Sequence, residues 1–168
     1  MEKLKSVIAL IENASLQLNI PIPKVSYAHD LSVDNPAETA YFNAHKNEIY
    51  FHKKWVETAD PLEVLLSAYI QIRYAYQQHS IDYDLNEPIE TLNTWYKEKT
   101  THREPIIVFE DEIDLSYISQ SFVIDAVAYG HLMLLEHHDT LSVIPNEIKT
   151  RVLERVAVLK ARENQITA

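Results

Sequence analysis

The chain contains no cysteine and a single glycine among its 168 residues. Because cysteine is missing, disulfides, thiolate zinc sites and cysteine nucleophiles are excluded. A single glycine excludes a glycine-rich phosphate-binding loop, since such a loop depends on several freely rotating backbone positions. The same scarcity argues against a β-sandwich or barrel built on glycine turns, and it favours helices.

Long hydrophobic runs and an excess of basic side chains are missing as well. No apolar run approaches the roughly 20 residues of a membrane-spanning helix. Near the amino terminus the apolar residues are interrupted by Glu12 and no small-residue cleavage site follows, so we expect a cytoplasmic protein. Lys and Arg number 15 against 25 Asp and Glu, a formal charge of −10. We therefore expect no direct partner among nucleic acids or anionic membranes.

The residues that are present have the composition of a globular protein, with 46% hydrophobic and 24% charged side chains. The length and the lack of a linker or repeat predict one domain over residues 1–168. Helical spacing of apolar residues predicts a first helix over residues 3–19. The segment "KVSYAHD" predicts a strand. The segment "AETAYFNAHKNEIYFHKKWV" predicts an antiparallel hairpin with strands near 38–43 and 48–52.

The second half of the chain reads as helical. Asp60 is a good N-cap and Pro61 fits the first helical position, which predicts a helix that runs to about His79. The segments predicted beyond it are a helix in "EPIETLNTWYKEKT", an irregular connection at 101–115, a long helix at 116–138 and a last helix from Pro145 to about residue 163. The predicted fold class is α+β, a mostly helical single domain with a small antiparallel sheet.

Three stretches carry a resemblance to a known family. They are "NAHKNEIYFHKKWVETAD", "AYIQIRYAYQQHSID" and "SQSFVIDAVAYGHLM", and with their spacing they cover roughly residues 38 to 135. In this order they resemble the hairpin edge, the HExRHxYQ helix and the later QSxExDAxAF helix of small zincin-like metallopeptidases from Gram-positive bacteria and their mobile elements. The resemblance implies a minimal zincin-like metallopeptidase scaffold. A plain core helix in an unrelated α+β protein is the alternative.

The functional positions of that family are altered in this chain. In an HExxH helix two histidines on one face bind zinc, and the glutamate beside the first acts as general base on the metal-bound water. Aligned on the retained Arg73, Tyr76 and Gln77, the histidine positions hold Ile70 and Tyr74, the base position holds Gln71, and the third ligand position holds Val123. Aliphatic side chains have no donor atom, neutral tyrosine binds zinc poorly, and glutamine takes up no proton. The resemblance therefore implies a catalytically dead relative with no metal and no cofactor.

One retained residue predicts a structural contact. Asp125 falls on the apolar stripe of the later helix, where a carboxylate needs a partner. Arg73 of the former active helix is the obvious candidate. We therefore predict an ion pair between Arg73 and Asp125 that joins the two central helices.

Acidic residues cluster in two stretches that follow the former active helix. They are Asp82, Asp84, Glu87, Glu90, Glu110, Asp111, Glu112 and Asp114. Runs of this kind are usually solvated and aid solubility. If the chain brings the two stretches together, their shared surface would attract a basic protein partner.

These features predict a non-catalytic protein-binding module. The link to mobile elements suggests an inhibitor, of phage or similar origin, that acts on a host defence or nucleic-acid-binding enzyme in the manner of anti-CRISPR proteins. One alternative is a hydrolase with an unconventional metal site, built from His131, His137 and His138 or from the hairpin histidines His45 and His52. Another is a regulatory domain that senses a small ligand in the cleft vacated around the former zinc position.

Overall fold

The computed structural model describes residues 2–28, 39–101 and 115–167. Within these ranges the chain forms seven helices and three strands, an α+β arrangement in which helices predominate. The elements in chain order are α1 (Glu2–Leu18), β1 (Lys24–Ala28), β2 (Ala40–Asn43), β3 (Glu48–His52), α2 (Lys53–Thr58), α3 (Pro61–Tyr83), α4 (Ile89–Thr101), α5 (Leu115–Ile118), α6 (Ser121–His138) and α7 (Lys149–Thr167). Nearly all of the predicted irregular connection at 101–115 lies outside the described residues.

The three strands form one mixed sheet in the order β1-β3-β2. The predicted hairpin is confirmed, because β2 pairs antiparallel with β3 and Ala40 lies opposite Phe51. The prediction of a wholly antiparallel sheet is wrong, since β1 pairs with β3 in parallel and Lys24 lies opposite Glu48. A hairpin is a short-range feature that its turn residues reveal. The alternation of residues in a strand outside the hairpin, such as β1, does not reveal whether that strand pairs in parallel or antiparallel.

Helix α3 begins as its sequence predicts. The Asp60 side chain accepts a hydrogen bond from the Leu62 amide at 2.8 Å, and Pro61 occupies the first turn. The helix continues past the predicted end to Tyr83, where Asp84 closes it in the left-handed conformation with a φ of 53°. Asparagine and aspartate tolerate this conformation better than other non-glycine residues, which is why the helix ends there.

The long helix predicted at 116–138 is divided into α5 and α6. Gln120 is the N-cap of α6, and its own side chain makes no capping hydrogen bond. Instead Glu98 of α4 accepts hydrogen bonds from the amides of Ser121 and Phe122 at 2.7 and 3.0 Å. The first residue of α6 is thus determined by a carboxylate from another helix, and the residues around Gln120 do not reveal it. The last helix begins at Lys149, after a turn that follows Pro145.

Helices α3 and α6 cross at the centre of the molecule, and α1, α4 and α7 pack around them. The buried apolar residues of the described chain form one core that includes Phe51 of the sheet and Trp95 of α4. The single glycine of the chain, Gly130, lies at the crossing, where an added Cβ would sit 2.8 Å from Leu66 Cδ1. None of the described helices is both long enough and apolar enough to cross a bilayer.

Candidate functional site

The predicted ion pair stands at the crossing of α3 and α6. The Arg73 guanidinium donates through Nε to Asp125 Oδ2 at 2.8 Å and through Nη2 to Asp125 Oδ1 at 3.1 Å. Only 4% of the Arg73 side chain and 2% of the Asp125 side chain are exposed. The guanidinium also lies over the ring of Tyr76, 3.9 Å from its centroid, and 5.0 Å from the centroid of Tyr129. The predicted pairing is confirmed.

Asp125 has further partners that the sequence did not reveal. Its carboxylate accepts hydrogen bonds from Gln77 Nε2 and from Arg155 Nε, each at 2.8 Å. Arg155 reaches on through Nη2 to Glu87 at 2.8 Å, and Arg162 donates to the same carboxylate. We call these two carboxylates and three arginines the ionic network. It ties α7 to the crossing of α3 and α6 and to the loop between α3 and α4.

The side chains of the ionic network remain charged at neutral pH, because each buried carboxylate is paired with arginines of opposite charge. Burial alone would raise the pKa of Asp125, but the charge and hydrogen bonds of Arg73 outweigh burial and lower that pKa to about 2. Burial likewise opposes ionisation of Glu87, yet hydrogen bonds from Arg155 and Arg162 lower its pKa. Both carboxylates are therefore ionised and paired, an arrangement that stabilises the packing of α3, α6 and α7.

The zinc-ligand positions of the resembled family are filled by packing side chains. Ile70 belongs to the face of α3 that meets α6 at Gly130, where its Cγ1 would lie 3.5 Å from an added Cβ. Val123 is 3% exposed and belongs to the apolar core. Gln71, in the base position, is also buried, and within the described chain its Oε1 accepts no hydrogen bond. These side chains do not fit a zinc ion, and no reaction step through zinc can be built on them.

The fourth altered position, Tyr74, is packed among aromatic and basic groups. Its hydroxyl lies 3.4 Å from that of Tyr117, and its ring centroid lies 5.6 Å from that of Phe122. Burial raises the pKa of the Tyr74 hydroxyl well above its ordinary value, so the ligating phenolate does not form. Lys99 Nζ lies 5.7 Å from the Tyr74 ring centroid, and burial lowers the pKa of this lysine to about 7. A lysine thus lies close to Tyr74, the residue that the resemblance aligns with the second zinc ligand.

The first acidic stretch, residues 82–90, covers the last two residues of α3, the connection at 84–88 and the first two residues of α4, and we call it the α3–α4 loop. Its residue Glu87 does not belong to an acidic surface, because its side chain is 0% exposed and pairs with two arginines of the ionic network. Tyr76 of α3 also donates its hydroxyl to Glu87 at 2.8 Å. The expectation that Glu87 belongs to an exposed acidic surface is therefore wrong, and its ion pairs anchor the loop.

The other acidic residues of the α3–α4 loop are exposed to solvent, as predicted. They are Asp82, Asp84 and Glu90. Three large apolar side chains between them are also exposed: Tyr83 by 65%, Leu85 by 46% and Ile89 by 54%. The second predicted acidic stretch, with Glu110, Asp111, Glu112 and Asp114, lies outside the described residues. The α3–α4 loop therefore presents an acidic and apolar surface of its own.

Two of the three histidines of α6 make separate hydrogen bonds, and the third, His137, is exposed. His131 is 7% exposed, and its Nδ1 lies 2.8 Å from Ser142 Oγ. Burial lowers the pKa of His131. His138 Nε2 lies 3.0 Å from the Tyr69 hydroxyl of α3. Within residues 2–28, 39–101 and 115–167, no three side chains of the metal-ligating types are grouped so as to hold an ion.

The hairpin histidines also have separate positions. His45 is exposed in the turn between β2 and β3. His52 is the N-cap of α2, and its Nδ1 accepts a hydrogen bond from the Trp55 amide at 3.4 Å. His52 therefore has a structural role in starting this helix.

Comparisons with family models, with curated proteins and with solved structures give no match for this chain.

Proposed function

We propose that this protein is a catalytically inactive, zincin-like pseudo-metallopeptidase that acts in the cytoplasm as a protein-binding module. The resemblance to the metallopeptidase helices supports the scaffold. The side chains at the former functional positions support the loss of chemistry: Ile70 and Val123 pack in the helix crossing, and Tyr74 packs against aromatic rings. A fold that keeps its central ion pair and lacks a zinc ligand set retains the ability to bind rather than to cleave.

The exposed surface of the α3–α4 loop is the observation that supports the proposed binding role. Three exposed carboxylates and three exposed apolar side chains lie close together in the sequence over residues 82–90. The loop is held from within: the Leu85 amide donates to the Ser80 carbonyl at 3.0 Å, and the buried Glu87 is fixed by Arg155 and Arg162. A surface fixed in this way loses little conformational entropy on binding, which favours affinity.

The partner that this surface fits is a basic protein with apolar groups inside its basic patch. Carboxylates steer such a partner by long-range attraction, and buried aromatic and aliphatic side chains supply much of the affinity. A protein that binds nucleic acids carries a basic groove of this kind where phosphates normally lie. The proposed action is therefore inhibition of a nucleic-acid-binding enzyme, such as a host defence enzyme, by occupation of that groove in the manner of anti-CRISPR proteins.

Charge reversal tests the docking surface. The partner is first captured from a bacterial lysate with the wild-type chain and purified. Its affinity is then measured for a variant with Asp82→Lys, Asp84→Lys and Glu90→Lys. We expect the affinity to fall by about 100-fold at about 50 mM salt and by much less at about 300 mM salt, because salt screens exposed charges.

A matched control separates local from overall charge. It carries Glu2→Lys, Glu12→Lys and Glu147→Lys, three exposed acidic residues outside the α3–α4 loop. This control changes the net charge by the same amount, and we expect it to keep affinity within a few-fold of wild type. Equal losses in the two triple variants would show that only the total charge matters and would overturn the assignment of the surface.

The scaffold has its own test, which is independent of any partner. The wild-type chain is expected to purify without stoichiometric zinc. Ile70→His, Gln71→Glu, Tyr74→His and Val123→Glu together restore the zincin ligand set, and we expect this variant to bind about one zinc per chain. The matched control omits Ile70→His and should bind zinc far more weakly. A restored variant that folds, as circular dichroism would show, and binds no zinc would contradict the zincin-like alignment.

A further inference from the structure

A second candidate site lies on another face of α3, away from the α3–α4 loop. Helices α1 and α6 both pack against α3, and a cavity of about 590 Å³ opens between them. Leu65 and Tyr69 of α3 form its floor, whereas the altered zinc positions Ile70 and Tyr74 are not among its lining residues. The cavity is therefore distinct from any cleft around Ile70 and Tyr74. Its volume lies within the range of small-molecule sites, about 300–1,000 Å³.

Two walls of the cavity have different chemistry. The wall from α6 is aromatic and apolar at Tyr129 and Met133, and it ends in His137 and His138. The wall from α1 carries the amides of Asn13 and Gln17, which are one helical turn apart and point to the same side. Aromatic and thioether groups favour flat rings, and primary amides form paired hydrogen bonds with the edge of a heterocycle. Together the walls suit a planar ring that carries both donors and acceptors.

The floor adds a third polar group. The Tyr69 hydroxyl lies 3.0 Å from His138 Nε2, and the two rings meet edge to face with centroids 5.9 Å apart. Tyr69 also packs edge to face on Tyr129, with centroids 6.1 Å apart. These contacts fix the orientation of the hydroxyl, which keeps a free lone pair for a ligand. A fixed polar group on an apolar floor orients a bound molecule.

The charge of the cavity narrows the ligand class. Among the described residues its lining contains no aspartate, glutamate, lysine or arginine, and its basic side chains are His137 and His138, although the chain as a whole has a formal charge of −10. A phosphate group would find no lysine or arginine in this lining and would be repelled by the net negative charge of the rest of the protein. A cation would find no carboxylate in it. We propose that this cavity binds a neutral nitrogen heterocycle of the nucleobase or nucleoside class.

Ligand titration of the full chain tests this inference. Adenosine is the first probe, and its binding is measured by saturation-transfer NMR and by the shifts of the backbone amide signals. We expect binding that shifts the amide signals of α1 and α6, and a loss of about tenfold or more in affinity for the variant Asn13→Leu with Gln17→Leu, because paired hydrogen bonds are removed. Both residues are exposed, so this variant should fold normally. Asn93→Leu, on the exposed face of α4, is the matched control and should bind as wild type does.

Two further arms define the ligand and the place. Adenosine monophosphate should bind no more tightly than adenosine. Leu65→Trp should block the cavity from its floor and abolish binding. The inference is overturned if adenosine gives no signal at millimolar concentration, if the double amide variant binds like wild type, or if the phosphate strengthens binding tenfold.

Discussion

Removal of the Arg73 guanidinium should destabilise this protein far more than loss of a surface ion pair. The variant Arg73→Ala leaves the buried carboxylate of Asp125 without its two-hydrogen-bond partner. Stranding one member of a buried pair costs about 3–5 kcal/mol. Arg155 and Gln77 still reach Asp125, which places the expected loss at the lower end, about 3 kcal/mol. Loss of the contact with the Tyr76 ring adds about 1 kcal/mol.

Urea unfolding measures this loss directly. The midpoint should fall with little change in slope, and the melting temperature should drop by roughly 8–16 °C for a total loss of about 4 kcal/mol in a chain of this size. Lys24→Ala is the matched control, because Lys24 is 76% exposed and its amine lies 3.9 Å from the Glu48 carboxylate. An exposed pair of this kind contributes at most about 1 kcal/mol.

A double-mutant cycle with Asp125→Asn separates the pair from its surroundings. We expect a coupling energy of about 2 kcal/mol or more between Arg73 and Asp125, since the two side chains share direct hydrogen bonds. A loss below about 1 kcal/mol for Arg73→Ala, or a coupling energy near zero, would refute this reasoning. It would mean that α3 and α6 do not cross as described, and the resemblance to the metallopeptidase helices would weaken with it.

Three further predictions concern pH and packing. Asp125 has a pKa of about 2 in the folded state, below its ordinary value. Its contribution to the free energy of unfolding is therefore present above about pH 4 and should be lost as the pH falls toward 2. Acid unfolding measures this loss, and Asp125→Asn should flatten the curve. Burial and the neighbouring Glu136 raise the pKa of Glu163 to about 7, so the folded state binds the extra proton and stability should fall as pH rises from about 5 to 8. Glu163→Gln should remove that dependence in urea midpoints, and an unchanged profile would contradict the assignment. Gly130→Ala should change stability by less than about 1 kcal/mol, because the end of the Leu66 side chain can move. Gly130→Phe should cost about 3 kcal/mol, because the larger side chain forces α3 and α6 apart. Equal effects of the two variants in thermal melts would argue against a close approach of the helices at Gly130.

Local patterns predicted much of this fold. The Asp60 cap, the hairpin and the helical stripes are features of neighbouring residues, and each is found where the sequence places it. The ion pair could also be predicted, because a carboxylate on an apolar stripe requires a partner and the chain offers an arginine on the other central helix. Such inferences succeed when the physical need is visible in a short segment.

Long-range partners could not be predicted in this way. Glu87 sits in an acidic stretch that looks solvated, yet it is buried by Arg155 and Arg162, which lie 68 and 75 residues farther along the chain. Glu98 similarly sets the start of α6 from a different helix. Nothing in the spacing of these residues reports such contacts, since they arise only when α7 and α4 dock. The proposed docking residues of the α3–α4 loop are therefore three of its four acidic side chains, and the fourth, Glu87, anchors the loop.

Competition for a partner tests the central claim of this account most directly. If the α3–α4 loop occupies a phosphate-binding groove, duplex DNA and the wild-type chain should displace one another from the captured partner. The triple variant with Asp82→Lys, Asp84→Lys and Glu90→Lys should fail to displace DNA, while the matched control with three reversed charges elsewhere should still do so. Simultaneous binding of DNA and the wild-type chain, or displacement by the triple variant as strong as that by wild type, would contradict the account.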